Sequence, residues 1–143
     1  MNVQLSPERK ERMDKRVICE EYAEIGQELI KNEEILSDIT DNEISVIFLS
    51  SDLEKKSKGS RILGQCEKIP EKYKWGIPCD FTVTLFEPNI VGMSLEQIKI
   101  LILHELMHIG VDGDKLYCKN HDITDFKYII DKYGTDWSEV KNG

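Results

Sequence analysis

The sequence predicts one α+β domain in which a small three-stranded sheet packs on a central apolar helix, with an N-terminal scaffold helix and a C-terminal helix. Three observations predict it: a helical apolar pattern up to about Asn32, three β-branched or aromatic segments after it, and a segment at 95–109 that is apolar on nearly every side. A length of 143 residues suits one domain with a substantial core. We therefore treat 1–143 as a single domain, with its motif-bearing core at about 43–134 and 135–143 as a tail.

The charge balance and the absence of long apolar runs narrow the class of protein. There are 19 basic and 27 acidic side chains, so the net charge is −8, which argues against a nucleic-acid partner. The first ten residues lack the apolar region of a signal peptide, and the longest apolar runs are four residues, far from the roughly 18 of a membrane span. We expect a cytoplasmic protein with no membrane partner. Its four cysteines lie far apart without a CxxC pair and are expected to be free thiols: Cys19, Cys66, Cys79 and Cys118.

The N-terminal helix is predicted from about Ser6 to Asn32. Ser6 fits an N-cap and Pro7 the first helical position. Apolar side chains recur at three- and four-residue steps, which predicts one stripe that packs on a sheet: Val17, Ile18, Tyr22, Ile25, Leu29 and Ile30.

Three segments are typical of strands. They lie at about 43–50, 61–68 and 80–86, and the charged stretch 54–61 before the second is expected to be a solvated hairpin connection. We expect the third segment to be an exposed edge strand that could bind an extended peptide by strand addition.

The central helix is predicted over 95–109. Ser94 and Gln97 fit a capping box at its start, and Gly110 and Gly113 are expected to end it. An irregular stretch should then lead to His121. The last helix is expected to begin near Asp122 and to stop at Gly134.

The central helix carries the sequence His104-Glu105-Leu106-Met107-His108, an HExxH pattern. Residues four apart on an α-helix project the same way, so His104 and His108 can share one metal ion. Glu105 then lies beside the ion without being a ligand, where a general base is needed. The alternative is a pair of core histidines, but two imidazoles and a carboxylate in an apolar helix carry a desolvation penalty that a bound cation would offset. The pattern therefore predicts a zinc site, with one Zn²⁺ per chain.

A catalytic zinc site needs a third protein ligand, and several residues compete for that role. His121 is the remaining histidine, and imidazole is the commonest zinc ligand. Asp114 has the spacing after His108 that some zinc peptidases use, although Val111 stands where those sites need a glycine. Glu139 is a further option in the predicted tail. A separate structural zinc site would instead combine His121 with cysteines: Cys66, Cys79 and Cys118.

Two supporting roles can be assigned only as alternatives. Asp125 is a candidate acceptor for the second ring N–H of a ligating histidine, although helix capping alone would explain it. Tyr117 is a candidate donor to a developing oxyanion, or equally a packing residue.

With these residues the chain resembles the zincins and, more narrowly, the phage metallopeptidase family, which is related to SprT-like and other minimal zinc peptidases. The residues that carry the resemblance lie between about 61 and 134: the 80–84 strand, the Glu87-Pro88 turn, the HExxH helix and the start of the last helix at 121–126. The resemblance implies a zincin-like α+β fold, zinc ligation by His104, His108 and His121, and Glu105 as catalytic acid/base. No paired cysteines follow His121 to form the zinc ribbon that DNA-directed SprT-like proteins often carry.

The function predicted from the sequence is a zinc-dependent metallopeptidase, a phage-related hydrolase acting on a peptide or protein substrate. Glu105 takes a proton from the attacking water and then delivers it to the leaving amine. One alternative is a zinc-binding regulatory or interaction module on the same scaffold without turnover. Another is hydrolysis of a non-peptide amide such as a cell-wall crosslink.

Overall fold

The computed structural model describes residues 15–119, 126–134 and 136–139, and within these ranges it has the predicted α+β architecture. The helices are α1 (Glu20–Asn32), α2 (Ser37–Asp41), α3 (Leu95–Leu106) and α4 (Lys127–Tyr133). The strands are β1 (Arg16–Ile18), β2 (Val46–Ser51), β3 (Lys56–Ser57), β4 (Ser60–Arg61), β5 (Gly64–Lys68), β6 (Phe81–Phe86), β7 (Ile109–Asp112) and β8 (Lys115–Cys118).

The main sheet has four strands in the order β1-β2-β6-β5, one strand more than predicted. β2 and β6 run parallel, with Val46 opposite Phe81, whereas β1 and β5 pair antiparallel at the two edges. The prediction that the 80–86 segment is an edge strand is wrong. β6 hydrogen-bonds to a neighbour on each side, and all six of its residues are buried, so an extended peptide cannot pair with it.

The N-terminal helix begins later than predicted. Val17 and Ile18 belong to β1 and not to a helical stripe, and the two residues are 62% and 68% exposed. Their β-branched side chains favour an extended chain, and β1 pairs with Leu49 to Ser51 of β2. Tyr22 and Leu29 of the predicted stripe are buried on α1 as expected. The proposed start at Ser6 and Pro7 lies outside the described residues.

Helix α3 contributes a continuous apolar run to the core. Ser94 caps it through a complete capping box, because its side chain accepts from the Gln97 backbone N–H while the Gln97 side chain accepts from the Ser94 N–H. Its buried apolar side chains belong to the same core cluster as those of α1, β2 and β6: Ile100, Leu101, Ile102, Leu103 and Leu106. The capping prediction is confirmed, and the helix that carries the HExxH pattern is fixed at its start and along its length.

The segment after α3 is a β-hairpin and not the irregular stretch that we predicted. α3 ends at Leu106, and Ile109 already starts β7, which pairs antiparallel with β8. Gly113, with φ of +61°, and Asp114 form the two-residue turn. A glycine in the left-handed region at this turn lets the chain reverse tightly, so Gly113 marks a hairpin turn and not the predicted helix end.

The other connections agree more closely with the sequence. β3 and β4 form the expected solvated hairpin, and the second predicted strand starts at Gly64, three residues later than expected. Asn89 fixes the segments on either side of this hairpin, because its Nδ2 donates to the carbonyl oxygens of Lys55 and Ile62, each at 2.8 Å. None of the helices in the described part of the chain is long and apolar enough to cross a membrane.

The C-terminal segment packs against α3. α4 begins at Lys127, later than the predicted start near Asp122, because Phe126 before it is extended; Asp122 itself lies outside the described residues. The helix stops at Gly134 as predicted. Beyond it, the Gln97 side chain donates to the carbonyl oxygens of Trp137 and Glu139. Residues 136–139, which we predicted to belong to a tail, are therefore held against the first turn of α3.

Candidate metal centre

Helix α3 brings the imidazoles of His104 and His108 together near its C-terminal end. The ring centroids are 5.3 Å apart, and the two side chains are 12% and 18% exposed. One turn of helix separates the two residues, so the proximity follows directly from the i, i+4 spacing. Both rings remain reachable from solvent at the edge of the core.

Glu105 lies between the two rings and is more deeply buried, with a side chain 6% exposed. Its Oε2 is 3.9 Å from Nε2 of His104, and its Oε1 is 4.0 Å from Nε2 of His108. One ligand atom from each of the three side chains lies within 4.8 Å of the others. The carboxylate is thus close to the Nε2 atoms of both imidazoles.

Gly64 on edge strand β5 leaves room for the Glu105 side chain. A Cβ atom added at Gly64 would lie 3.2 Å from Cγ and 3.2 Å from Oε2 of Glu105, and 3.2 Å from the Thr84 carbonyl oxygen. Such contacts are tighter than normal packing allows, so any larger residue would push on the carboxylate. The absence of a side chain at Gly64 therefore helps to set the position of Glu105.

The backbone of Lys119 fixes the His108 ring. Nδ1 of His108 lies 2.6 Å from the Lys119 carbonyl oxygen, and the Lys119 N–H donates to the His108 carbonyl oxygen at 2.5 Å. Because a carbonyl only accepts, Nδ1 carries the hydrogen in this arrangement and Nε2 carries the lone pair. Metal-binding histidines commonly have this second hydrogen bond, which orients the ring and makes the ligating nitrogen more basic.

Aromatic side chains from the C-terminal segment line the other side of the pair. The Phe126 ring centroid is 5.4 Å from that of His104 and 5.0 Å from that of His108, and Phe126 itself is buried. The Trp137 ring lies 6.0 Å from the His104 ring. These apolar neighbours lower the local dielectric, which strengthens electrostatic interactions within the cluster.

The donor set fits a divalent transition metal. Neutral imidazole nitrogens suit zinc and the later first-row metals, and a tautomer fixed through Nδ1 directs Nε2 of His108 toward a shared ion. Within the described ranges, His104, Glu105 and His108 are the one group of at least three potential ligands close enough to hold a metal. The cysteine set Cys66, Cys79 and Cys118 does not form such a group among those residues.

The sequence of the chain matches one protein-family model over most of its length. The model described as "Putative phage metallopeptidase" matches residues 15–142. The chain belongs to this family. No curated protein and no solved structure matches the chain. Membership of the phage metallopeptidase family implies a metal, and the match spans the whole His104, Glu105 and His108 cluster.

The predicted third ligand, His121, lies outside the described residues, as do Asp122 and Asp125. The described residues on either side of that stretch both reach the cluster. Lys119 is hydrogen-bonded to His108, and Phe126 contacts both imidazole rings. The chain thus leaves the histidine pair at residue 119 and is back beside it at residue 126.

The two rival third ligands lie elsewhere on the surface. Asp114 is exposed in the turn between β7 and β8, and the four residues of β7 carry the chain about 13 Å away from His108 before that turn. The Glu139 backbone is bound by Gln97 in the first turn of α3, roughly 10 Å along the helix from His104. Neither residue belongs to the group of potential ligands that the structure brings together.

Tyr117 packs on the hairpin. It lies opposite Gly110, and a Cβ atom at Gly110 would come within 2.6 Å of the Tyr117 ring. The ring therefore lies flat across the glycine, in keeping with the packing alternative considered for it. This contact gives Gly110 a role inside β7, and not at the predicted helix end.

Sequence reasoning missed three features of the site: the Lys119 carbonyl, the space at Gly64 and the Trp137 ring. A backbone acceptor leaves no mark on residue type, so Lys119 gave no signal. A glycine inside a predicted strand can indicate a close approach, and a tryptophan in a predicted tail can indicate docking; both signals were present at Gly64 and Trp137.

Proposed function

We propose that this chain is a zinc-dependent metallopeptidase that hydrolyses peptide bonds in a peptide or protein substrate. The observation that carries the proposal is the Glu105 carboxylate, buried within 4.0 Å of Nε2 of both His104 and His108. Two imidazoles with an adjacent, separate carboxylate are the parts that metal-assisted hydrolysis requires. Membership of the phage metallopeptidase family supports the same reaction class.

His104, His108 and His121 are the proposed ligands of one zinc ion per chain. His121 completes the set because it is the third histidine of the chain and lies two residues after Lys119, whose backbone is bonded to His108. Phe126, five residues later, contacts both imidazoles, so the segment is held beside the pair at each end. The exposed position of Asp114 at the hairpin turn argues further for His121.

Glu105 is the proposed acid and base. When bound, zinc supplies the Lewis acidity that lets water attack an amide near neutral pH. Glu105 takes the proton from the attacking water and delivers it to the leaving nitrogen, so one residue serves both halves of the reaction. Gly64 keeps the carboxylate in place, and the Lys119 carbonyl holds the His108 ring in the tautomer that binds metal.

We place the substrate beside β5 and not beside β6. β5 is an edge of the main sheet, and its first residue, Gly64, lies against Glu105. Cys118 of β8 lies against Cys66 farther along this edge, so an extended chain would pair only beside Gly64, where it would pass close to the carboxylate. The four cysteines are free thiols, which fits the cytoplasmic location that we propose for the protein.

The decisive test replaces Glu105 by Gln, which is nearly isosteric but cannot take a proton. We expect the wild type and Glu105→Gln to bind close to one zinc per chain, and hydrolysis of unfolded protein and fluorescent peptide substrates to fall by about 10²- to 10⁴-fold in the variant. Glu96→Gln is the matched control, because Glu96 is an exposed glutamate in the first turn of the same helix. It should keep full activity.

The same assay separates the alternatives. A wild type that binds zinc but hydrolyses nothing faster than Glu105→Gln would contradict the peptidase and favour the zinc-binding interaction module. Turnover of peptidoglycan fragments, with peptides and proteins left intact, would move the substrate to a non-peptide amide while keeping the same site residues.

A further inference from the structure

A second pair of reactive side chains lies at the junction of β5 and β8, outside the metal cluster. Cys66 is on the edge strand, opposite Val83, and Cys118 is the last residue of β8, opposite Ile109. The Cys118 Sγ lies 3.7 Å from the Cys66 carbonyl oxygen, and the two thiols are in hydrogen-bond contact with each other. Residues 52 positions apart in sequence thus bring two thiols together.

The surroundings of the pair shift the pKa values of the two thiols in opposite directions. The hydrogen bond from the Cys66 thiol lowers the pKa of Cys118 to about 6, with a further contribution from the Lys68 backbone N–H. The same hydrogen bond, together with burial, raises the pKa of Cys66. Cys118 is exposed to solvent, whereas Cys66 is partly buried behind it. One accessible nucleophilic thiol with a second thiol in contact is the usual arrangement of a reactive cysteine and its resolving partner.

We propose that Cys66 and Cys118 form a thiol–disulfide exchange site whose reactant is a low-molecular-weight disulfide of the glutathione type. The Cys118 thiolate attacks one sulfur of the disulfide, which forms a mixed disulfide at Cys118 and releases one small thiolate. Cys66 then attacks the Cys118 sulfur, its proton passes to the second departing small thiolate, and a Cys66–Cys118 bond forms. The protein loses two protons and two electrons, and the reactant is reduced to two thiols.

The new bond would tie β8 covalently to the sheet edge. Rotation of the two side chains has to shorten the present thiol contact to a bond of about 2.05 Å. The closed form would join the hairpin that leads to Lys119 directly to the strand that begins at Gly64, on the side of the sheet facing Glu105. The exchange chemistry uses neither the metal nor Glu105, so it stands or falls independently of the proposed peptidase activity.

The test treats the full-length protein, as purified with its metal, with oxidised glutathione. Intact mass and peptide mapping under non-reducing conditions should show that the wild type loses two hydrogens, retains no glutathione and contains a Cys66–Cys118 bond. Cys66→Ser should keep one glutathione on Cys118, because the resolving thiol is gone. Cys118→Ser should gain glutathione at Cys66 at least about 10-fold more slowly than Cys66→Ser gains it at Cys118, because Cys66 has the raised pKa.

Two controls and a second measurement secure the interpretation. Cys79→Ser should close the bond at the wild-type rate. Glu105→Gln should still form the Cys66–Cys118 bond, which shows that exchange survives loss of hydrolysis. The oxidised wild type should melt about 10 °C higher than the reduced form, a shift that Cys66→Ser cannot show. Stable glutathione on Cys118 of the wild type, a bond between other cysteines, or no faster reaction at Cys118 than at Cys19 would each overturn the proposal.

Discussion

The Lys119 carbonyl oxygen lies 2.6 Å from Nδ1 of His108, while the Lys119 N–H donates to the His108 carbonyl oxygen. Each residue therefore both gives and receives a hydrogen bond, and the Nδ1 side of the His108 ring is held by a backbone atom. A backbone partner is insensitive to the side chain at position 119. The pairing ties the end of β8 to the cluster of His104, Glu105 and His108 and leads to the first prediction.

Lys119→Pro should weaken zinc binding by about 10-fold, whereas Lys119→Ala should leave it unchanged. Proline removes the N–H that donates to His108 and disturbs the reciprocal pair, while alanine keeps both backbone groups. Competition titration against a zinc chelator measures the affinity. Equal affinities in the two variants would show that the Lys119 N–H does not help to hold the His108 ring.

The third-ligand proposal predicts a clear order of effects on zinc content. His104→Ala and His121→Ala should each lower zinc affinity by more than about 100-fold, because three protein ligands hold a catalytic zinc ion. Asp114→Ala should bind close to one zinc per chain with wild-type affinity. Elemental analysis together with chelator competition gives both quantities. If His121→Ala retains full stoichiometry and affinity, His121 is not a ligand.

Gly64→Ala should lower kcat roughly 10-fold and leave zinc affinity unchanged. The added Cβ would meet Cγ and Oε2 of Glu105 at 3.2 Å and shift the carboxylate by a few tenths of an ångström. Gly76→Ala is the control, since a Cβ there has no atom within 4 Å. Steady-state kinetics on a fluorescent peptide compare the two variants. An unchanged kcat in Gly64→Ala would show that Gly64 does not position the Glu105 carboxylate.

Ser94→Ala should reduce the free energy of unfolding by about 1 kcal/mol, because it removes the side chain that caps α3. Zinc affinity should stay the same, since the metal-binding end of the helix is held by core packing and by Lys119. Urea denaturation followed by circular dichroism measures the loss. Ser57→Ala, in the exposed hairpin, serves for comparison and should have no effect.

The ionised Asp80 carboxylate should stabilise the fold, and acid should remove that contribution to the free energy of unfolding. Partial burial alone would raise the pKa of this carboxyl, but the Ser45 backbone N–H and the Lys74 ammonium outweigh it, so the pKa is lowered. The ionised form therefore stabilises the fold above the unfolded-state pKa of about 3.9, and this contribution disappears as the pH falls through the lower folded-state value.

Asp80→Asn should accordingly be less stable than the wild type by about 1 kcal/mol at neutral pH. The difference should hold down to about pH 4 and shrink below it. Urea denaturation at a series of pH values measures the difference in the free energy of unfolding. Asp41→Asn is the control, because Asp41 is exposed. A difference that grows in acid would have the wrong sign and would contradict the lowered pKa.

The parts of the structure that local sequence determines were predicted well. The capping box at Ser94, the buried run in α3 and the proximity of His104 and His108 all follow from spacing within one helix. The α+β class followed from the change in hydrophobic period along the chain.

The structure differs from the sequence-based prediction where the conformation of a segment depends on residues far away in the sequence. Val17 and Ile18 fit a helical stripe by spacing, but pairing with β2 makes them a strand. β6 looked like an edge strand because nothing local reveals that β2 and β5 both pair with it. The hairpin after α3 depends on a glycine turn that also fits a helix end, and Lys119 acts through its backbone, which residue type does not report.

The parallel pairing of β2 with β6 has a consequence for how the chain folds. Ser45 and Asp80, at the start of the two strands, bond to each other through backbone and side chain although they are 35 residues apart. β5 and β6 can pair earlier, across a shorter loop, so the arrival of β2 is the slower, entropically limited event. Since α3 follows β6 directly, the two imidazoles reach their final surroundings only after that long loop has closed.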